Sequence, residues 1–449
     1  MFVTNWISTT KIQKISEITN FFRHYFLSRT EVYLKDSDVV VTIHRGIDQI
    51  GGCITEISTK TSRVFVDFGQ NLPACAVPTT PEQDEALVRD IFAQNVKQHQ
   101  AVVYTHAHED HVGLFDLIPC DVPQYIGVGG QELMLAKYGL LKIAHEQEWK
   151  DSEEKSKILI DDEQKIRKIK DFHIWERTAP HTRPKSFMIG DIRITPFFNS
   201  HSIYDSYMFL IEADGKRLWH TGDYRDHGYL GKGLYPTLHR YASNIDLLIT
   251  EGTTLKRGDL CIRESEVSRR MACVMSAFKY VIVLASATDI ERLASVKTAA
   301  LKARKGLYYT GGMMGRAMRI FTHREAKSSK GLFAFHFKYV GEDDPKLGEM
   351  QKKGFVLVTG ASHLDFVKKM CQGLSSSEVL LIYSAWDGYY KDPLQVKQNP
   401  AYRDFREAFP NVVDIHTSGH ASKECIKKVI DIVKPKEVIC IHKEAGAEL

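Results

Sequence analysis

Side chains that can bind metal ions are concentrated in the segment HAHEDH at residues 106–111. This segment follows the apolar run AVVY, which is typical of a buried strand, so the side chains of His106 and His108 can point the same way along extended backbone. Asp110 and His111 lie past the strand end and can turn toward a second ion. Imidazole nitrogens and carboxylate oxygens suit zinc or a related divalent ion. The segment therefore predicts a metal site rather than a polar turn that happens to be rich in histidine.

Three further candidate ligands stand at the ends of later apolar runs. His201 lies in FFNSHS, Asp223 in LWHTGD and His442 in EVICIH. A single histidine at a strand end is more often a hydrogen-bonding residue than a ligand, but together these residues complete the ligands of two ions. Two adjacent divalent ions activate water and stabilise the charge that develops on a substrate oxygen, so the predicted chemistry is hydrolysis.

The elements that must position these side chains begin near Val39. The runs VVVTIHRG, GGCITEIS and SRVFVDFG predict a meander of short strands, because they are β-branched and separated by glycine or polar turns. The apolar spacing of residues 81–96 predicts a helix. Four more strands are expected in MIGDIRITPFF, YMFLIEAD, KRLWHTGD and IDLLITEG. Residues 131–172 are rich in Glu, Lys and Gln, which indicates charged, solvated helices. They could form a lid or flap, although plain surface helices are the better expectation.

The pattern changes near Leu255 and changes back near Val413. Between these points helical runs alternate with buried strand runs, which favours a parallel α/β unit. We therefore expect an N-terminal extension with a short amphipathic helix at 1–37, one domain built from 38–255 and 413–449, and a second domain inserted at 256–412. The candidate site is expected in the cleft between the two domains.

The bulk composition excludes little. Lys+Arg number 60 and Asp+Glu 56, so the net charge of +4 is compatible with a nucleic-acid enzyme without arguing for one. No stretch approaches the roughly 20 apolar residues of a membrane span. The 8 cysteines are scattered with no C-x-x-C pair, which indicates reduced thiols and predicts a cytoplasmic protein.

The motifs H-A-H-E-D-H, N-S-H-S and T-G-D together resemble those of the metallo-β-lactamase superfamily. The resemblance implies a first ion held by His106, His108 and His201, a second ion held by Asp110, His111 and His442, and Asp223 as the bridge between the ions. It also implies that Asp67, at the end of VFVDFG, orients one of the ligands from outside, as such carboxylates do at metal sites.

Two later motifs narrow the resemblance. Glu251 ends LLITE ahead of the predicted inserted domain, and His420 follows that domain in HTSGHAS. This order is similar to that of the β-CASP nucleases, most closely the ribonuclease J group, and the similarity covers roughly residues 39–445. It implies an αββα metallo-β-lactamase sandwich with an inserted α/β β-CASP domain. The last motif departs from the usual His-Gly-Glu, because Lys443 follows His442.

The resemblance also implies roles in phosphodiester hydrolysis. His420 is the candidate general acid and Glu251 orients it or raises its pKa, while Asp110 and Asp223 complete the catalytic set. Ser418, Gly419 and Ala421 are expected to bind a substrate phosphate through backbone amides. The expected cofactors are two divalent ions, zinc first and manganese second. The expected substrate is single-stranded RNA, cut as an exonuclease or endonuclease in RNA processing or decay, by a possible homodimer.

Three alternatives stay open. A small-substrate hydrolase of the same fold would share the metal ligands but would not need the inserted domain or residues 418–420. An RNA-binding scaffold without metals should have lost ligands. A β-CASP DNA nuclease tends to lack a histidine at the position of His442.

Two further groups have both a functional and a structural interpretation. Tyr383, Trp386, Tyr389 and Tyr390 could stack on bases, although packing is the better expectation. Arg292, Arg316 and Arg319 could contact phosphates or be solvated surface charges.

Overall fold

A computed structural model describes residues 29–72, 78–148, 153–177, 182–258, 261–325, 331–342, 344–345 and 347–449. Most of the predicted N-terminal extension lies outside these residues. Its last part differs from the expectation, because Thr30–Tyr33 is a strand and not part of a helix. The sequence TEVY is rich in residues that favour strands, and it pairs with the next strand along the chain.

The first sheet has seven strands in sequence order. They are β1 Thr30–Tyr33, β2 Val40–Arg45, β3 Ile54–Ser58, β4 Ser62–Val66, β5 His99–Val103, β6 Gln124–Gly127 and β7 His173–Trp175. Strands β1 to β4 are antiparallel, as the predicted meander requires, and β4 to β7 are parallel. The carboxyl ends of β4 and β5 therefore meet at one edge of this sheet.

The second sheet has six strands in the order β19-β12-β11-β10-β9-β8. They are β8 Phe187–Ile189, β9 Ile192–Phe198, β10 Tyr207–Ala213, β11 Lys216–His220, β12 Leu247–Glu251 and β19 Glu437–Ile441. Strand β19 comes from the far end of the chain and pairs in parallel with β12. This pairing brings the end of β19, and the His442 that follows it, beside Glu251.

These two sheets face each other across an apolar core and carry helices on their outer faces. Val41, Val64 and Val103 of the first sheet pack with Phe209 and Ile249 of the second. The helices of this part are α1 Pro81–Ala93, α2 Glu109–Val112, α3 Val128–Glu148, α4 Glu153–Lys170, α5 Leu234–Tyr241 and α14 Lys423–Val433. Helices α1, α3 and α4 cover the first sheet, and α5 and α14 cover the second, giving an αββα sandwich.

The third sheet is parallel throughout, with the order β15-β14-β16-β13-β17-β18. Its strands are β13 Tyr280–Ala285, β14 Gly306–Tyr309, β15 Lys338–Tyr339, β16 Phe355–Thr359, β17 Val379–Ser384 and β18 Val412–Asp414. Its helices are α6 Glu264–Ala277, α7 Ile290–Lys302, α8 Gly312–Glu325, α9 Leu347–Lys353, α10 Leu364–Cys371, α11 Gly388–Lys391, α12 Pro393–Gln398 and α13 Ala401–Glu407. They lie on both faces of the sheet, as the alternating pattern predicts.

The described part of the charged region at 131–172 forms the helical pair α3 and α4, which is not a solvated flap. Leu133, Met134 and Tyr138 of α3 are buried, and Leu133 packs into the core of the third sheet. Arg324 of α8 donates two hydrogen bonds to Glu132 of α3. Helix α3 therefore joins the sandwich to the third sheet. Within the described residues no helix has both the length and the apolar character needed to cross a membrane.

Candidate metal centre and active site

The HAHEDH segment turns sharply between β5 and α2, and the chain that leaves β4 holds this turn in place. The amides of Phe68 and Gln70 donate to the carbonyls of His111 and Glu109 at 2.8 and 2.9 Å. Gly69 lies so close to the turn that a Cβ there would stand 1.7 Å from the carbonyl oxygen of Asp110. Only glycine fits this close approach, so the VFVDFG motif positions the ligand turn through its backbone.

Three imidazoles converge at the first half of the site. The distance from His108 Nδ1 to His106 Nε2 is 3.0 Å, and to His201 Nε2 it is 3.2 Å. Burial lowers the pKa of all three rings, that of His108 to about 4, which keeps them in the neutral form that binds metal. Three neutral ring nitrogens that face one point can all bind a divalent cation there, which explains their arrangement better than hydrogen bonds among themselves.

The second half of the site joins Asp110, His111 and His442. Asp110 Oδ2 lies 3.1 Å from His442 Nε2 and 3.9 Å from His111 Nε2. His111 Nε2 is buried and makes no hydrogen bond of good geometry, although Asp223 Oδ2 lies 3.2 Å away, and an ion at this point would satisfy it. The backbone of His442 has a φ of +52°, so the turn that aims this ring begins at the histidine itself, with Lys443 in the place of the usual glycine.

Asp223 lies between the two halves. Its Oδ2 is 3.2 Å from His111 Nε2 and 3.8 Å from both His201 Nε2 and His442 Nε2. Burial alone would raise the pKa of this carboxyl, but the surrounding histidines, His442 first, lower it well below its usual value. A buried, ionised carboxylate with imidazoles on both sides is placed as a bridging ligand would be.

Outer contacts fix the orientation of four of these rings through their Nδ1 atoms. Asp67 accepts from His111 at 2.7 Å, and the carbonyl of Gly419 accepts from His201 at 2.7 Å. The hydroxyls of Thr105 and Thr253 accept from His106 at 2.9 Å and from His442 at 2.7 Å. The Nε2 atom of each ring then faces the site, as at metal centres whose outer partners set the tautomer. The cluster therefore suits divalent metal ions.

Beside Asp223, His420 forms a buried pair with Glu251. Its Nδ1 lies 3.0 Å from Glu251 Oε2 and 3.6 Å from Asp223 Oδ2. The other oxygen of Glu251 accepts from the amides of Tyr224 and Ala421, both at 3.1 Å. Burial lowers the pKa of His420, but the nearby carboxylates, Glu251 first and then Asp223 and Asp110, together outweigh burial and raise the pKa to about 9. The histidine side chain is 22% exposed and Glu251 only 1%, so solvent reaches the imidazole and not the carboxylate.

In the loop around His420, fewer residues than predicted have a backbone that can bind a phosphate. Ala421 is fully buried and its amide is already bonded to Glu251, so its amide cannot serve a phosphate as expected. The hydroxyl of Ser418 accepts from the amide of His420 at 3.2 Å. The prediction of a phosphate-binding loop therefore rests on Ser418 and Gly419.

The three arginines that were predicted to contact phosphates or to be surface charges differ in their exposure to solvent. Arg292 is 1% exposed and donates to Glu264 at 2.9 Å, so it is neither a solvated charge nor open to a phosphate. Arg316 is half-buried and Arg319 is exposed on α8. Nothing in the local sequence distinguishes Arg292 from its neighbours, because its partner lies 28 residues away on α6.

The predicted aromatic group is mainly packing. Tyr383 is fully buried, and the rings of Tyr389 and Tyr402 stack 4.6 Å apart. The guanidinium of Arg257 lies 4.8 Å from the centre of the half-buried Trp386 ring and donates to Glu444 at 3.1 Å. Trp386 is thus held near the end of the His442 motif.

Sequence reasoning did not find three residues that belong to the surroundings of the site. Thr105 and Thr253 orient ligands, and their positions directly before His106 and two residues after Glu251 are the signal that could have found them. Cys53 shares a group of potential ligand atoms within 4.8 Å with His111 and His442. Burial raises the pKa of this thiol, which keeps it protonated beside the second half-site.

Comparisons with known proteins agree with this geometry. Residues 76–268 match the family model described as a beta-lactamase superfamily domain. The chain is 21% identical over 429 residues to Ribonuclease J from Helicobacter pylori strain ATCC 700392 / 26695, covering 91% of this chain and 56% of that protein. It is also 21% identical over 442 residues to Ribonuclease J 1 from Streptococcus pyogenes serotype M3, covering 92% of this chain and 70% of that protein.

The chain thus spans little more than half the length of the Helicobacter relative. A crystal structure of a protein of unknown function from Enterococcus faecalis V583 superposes with a TM-score of 0.65 at 17% identity, covering 90% of this chain and 94% of that one, which shows the fold alone. The family match over residues 76–268, the αββα sandwich and the clustered histidines and aspartates agree with one another: this chain is similar to proteins of the beta-lactamase superfamily.

Proposed function

We propose that this protein is a metal-dependent ribonuclease that hydrolyses phosphodiester bonds of single-stranded RNA at a two-ion centre. One observation carries the proposal: the paired His420 and Glu251 lie directly against the candidate bridging ligand Asp223, with His420 Nδ1 3.6 Å from its carboxylate. A group that can give up a proton therefore stands next to the place where ions would hold a phosphate.

The donor set supports two divalent ions, zinc first and manganese second. His106, His108 and His201 would hold one ion, and Asp110, His111 and His442 the other, with Asp223 between them. The histidine-rich composition favours zinc, although imidazole with carboxylate also suits manganese. When bound, such a pair of ions supplies an activated water and stabilises the charge that develops on the phosphate.

The protein's own residues complete the reaction in this proposal. Glu251 keeps the His420 ring charged and turns Nδ1 toward itself, which leaves the proton on Nε2 for the departing oxygen. Ser418 and Gly419 contact the phosphate through their backbone. Since two amides hold the other Glu251 oxygen, the pair is fixed before substrate arrives.

RNA is favoured over the alternatives for two reasons. The relatives that match most of the chain are named ribonuclease J. In addition, His442 is a histidine at a position where the DNA-cutting branch tends to have none. A small-substrate hydrolase would have no use for the Glu251–His420 pair. We further propose two domains with the site in the cleft between them, close to the predicted division into 38–255 with 413–449 and an inserted 256–412. We move two of these boundaries, because β1 extends the first domain back to Thr30 and β18 extends the inserted domain to Asp414. A homodimer and a cytoplasmic location stay predictions.

Elemental analysis tests the proposed centre. We expect close to two divalent ions per chain in protein prepared without chelator, because seven candidate ligands converge on two points. Removal of the ions with a chelator should abolish hydrolysis, and zinc or manganese added back should restore it. Metal-free protein that stays fully active would contradict the two-ion centre.

The mode of cleavage is tested on single-stranded RNA that carries a 5′-monophosphate or a 5′-triphosphate. An exonuclease releases short products from the earliest times, whereas an endonuclease first produces internal fragments of intermediate length. If neither RNA is shortened by metal-loaded protein, the proposed function is wrong.

A further inference from the structure

The backbone of the His420 loop is held by side chains at five consecutive carbonyls. The donors come from both parts of the molecule. The Thr417 carbonyl accepts from Arg292 at 3.3 Å, and the Ser418 carbonyl accepts from His227 at 2.8 Å and from Arg225 at 3.3 Å. The carbonyls of Gly419, His420 and Ala421 accept from His201 at 2.7 Å, from the thiol of Cys261 at 4.0 Å and from Thr254 at 2.6 Å. An exposed loop would satisfy its carbonyls with water, so this one is fixed by the protein around it.

Among these donors, His227 makes the short contact at Ser418. Its Nε2 donates to the Ser418 carbonyl at 2.8 Å, and the side chain is buried. Arg225 reaches the same carbonyl at 3.3 Å, but its guanidinium is divided among three buried carboxylates, which are Glu264, Asp289 and Glu291. The backbone of His227 is itself fixed, because its carbonyl accepts from the amide of Glu264 at the start of α6.

The position of Ser418 determines that of His420. The Ser418 hydroxyl accepts from the His420 amide, and the Gly419 carbonyl between them is bound by His201. A shift at Ser418 therefore moves the imidazole relative to Glu251 and to the candidate ligands. We propose that His227 is a positioning residue for the general acid His420. This inference rests on the proposed function, and it concerns a residue that contacts neither ions nor substrate.

The leaving group provides the means to test it. In RNA hydrolysis the bond from phosphorus to the departing oxygen breaks, and that oxygen takes its proton from His420. The p-nitrophenolate released from bis(p-nitrophenyl) phosphate is a stable anion that leaves without a proton. A residue that acts only through His420 therefore matters for RNA and not for the aryl ester, whereas a residue needed for the fold, the ions or the phosphate contacts of Ser418 and Gly419 matters for both.

The experiment compares single-turnover rates on both substrates, together with metal content, for His227→Leu, His227→Gln and the control Tyr229→Phe. Leucine removes the donor yet leaves Arg225 on the Ser418 carbonyl, so that carbonyl is not orphaned. Glutamine can restore a donor at the place of Nε2. Tyr229 lies on the same segment and donates to the Glu264 carbonyl at 3.3 Å, not to the loop.

For His227→Leu we expect RNA cleavage to fall about 10- to 100-fold, since displacement of a catalytic group by about 1 Å can cost about 10² in rate. Hydrolysis of the aryl ester and metal content should be unchanged, glutamine should restore much of the RNA rate, and Tyr229→Phe should behave as wild type. An unchanged RNA rate, or equal losses on both substrates, would overturn the inference.

Two more outcomes are decisive. If His227→Leu does not fold, His227→Asn takes its place, because its shorter amide cannot reach the Ser418 carbonyl, and the same criteria apply. If the wild-type protein hydrolyses the aryl ester but leaves RNA intact, the proposed function is wrong and this inference fails with it. Failure of this inference and failure of the proposed function are therefore distinguishable. The first appears in the variants, whereas the second appears already in the wild-type protein.

Discussion

Replacement of His420 by alanine should lower the single-turnover rate of RNA cleavage by about 10²–10⁴-fold, the usual contribution of general acid–base catalysis. The imidazole is 3.0 Å from Glu251 and partly exposed, so its removal deletes a proton donor without exposing the core. Both ions should stay bound. RNA affinity should also persist, because contacts to phosphates supply most of the affinity for nucleic acids.

The result depends on measuring metal content beside the rate. His420 offers a nitrogen to a group that also contains Asp223, Glu251 and His442, a set whose composition would suit an ion. If His420→Ala loses an ion, His420 is a ligand and the acid must be another residue. If it cleaves RNA at the wild-type rate, the general-acid assignment is wrong.

Replacement of Asp110 by alanine should instead lower metal content and activity together, with a loss of activity greater than that of His420→Ala. Asp110 contributes the carboxylate of the second half-site, 3.1 Å from His442 Nε2. Although burial opposes its ionisation, His111 and His442 hold the pKa of this carboxyl well below its usual value, so the site loses a negative charge that two ions require. We expect fewer than two ions per chain.

A matched control lies a few residues further along the same segment. Asp116 is half-buried and pairs with Lys165 at 3.3 Å, away from the cluster, so Asp116→Ala removes a carboxylate without removing a ligand. It should keep both ions and full activity. An Asp110→Ala protein that retains two ions and wild-type cleavage would show that this carboxylate is not a ligand.

The sequence was most informative where function depends on the ends of strands. The HAHEDH segment, Asp223, Glu251 and His442 all follow buried runs, and the two facing sheets bring those ends to one place. That the runs form strands follows from composition, and that the residues bind metal follows from their chemistry. The pairing of β19 with β12 did not follow from local pattern, because it joins strands from distant parts of the chain.

What the sequence could not show are contacts that depend on distant partners. His227 is one histidine among 19, and the carbonyl that it binds lies 191 residues away. Arg292 was expected either to contact a phosphate or to be a solvated surface charge, yet it is buried and bonded to Glu264 of α6 and to the carbonyl of Ser384. The charged composition of residues 131–172 as a whole concealed that α3 has more apolar than polar side chains, among them the buried Leu133 and Tyr138.

The most direct test of the central claim is single-turnover cleavage of RNA and DNA strands of the same sequence by metal-loaded protein, with Asp110→Ala as the control for contaminating nucleases. We predict that wild-type protein cuts the RNA, that the DNA is cut far more slowly, and that the variant cuts neither. Preferential cleavage of the DNA would assign the chain to DNA hydrolysis instead. RNA cleavage that persists unchanged in Asp110→Ala would contradict the proposed centre.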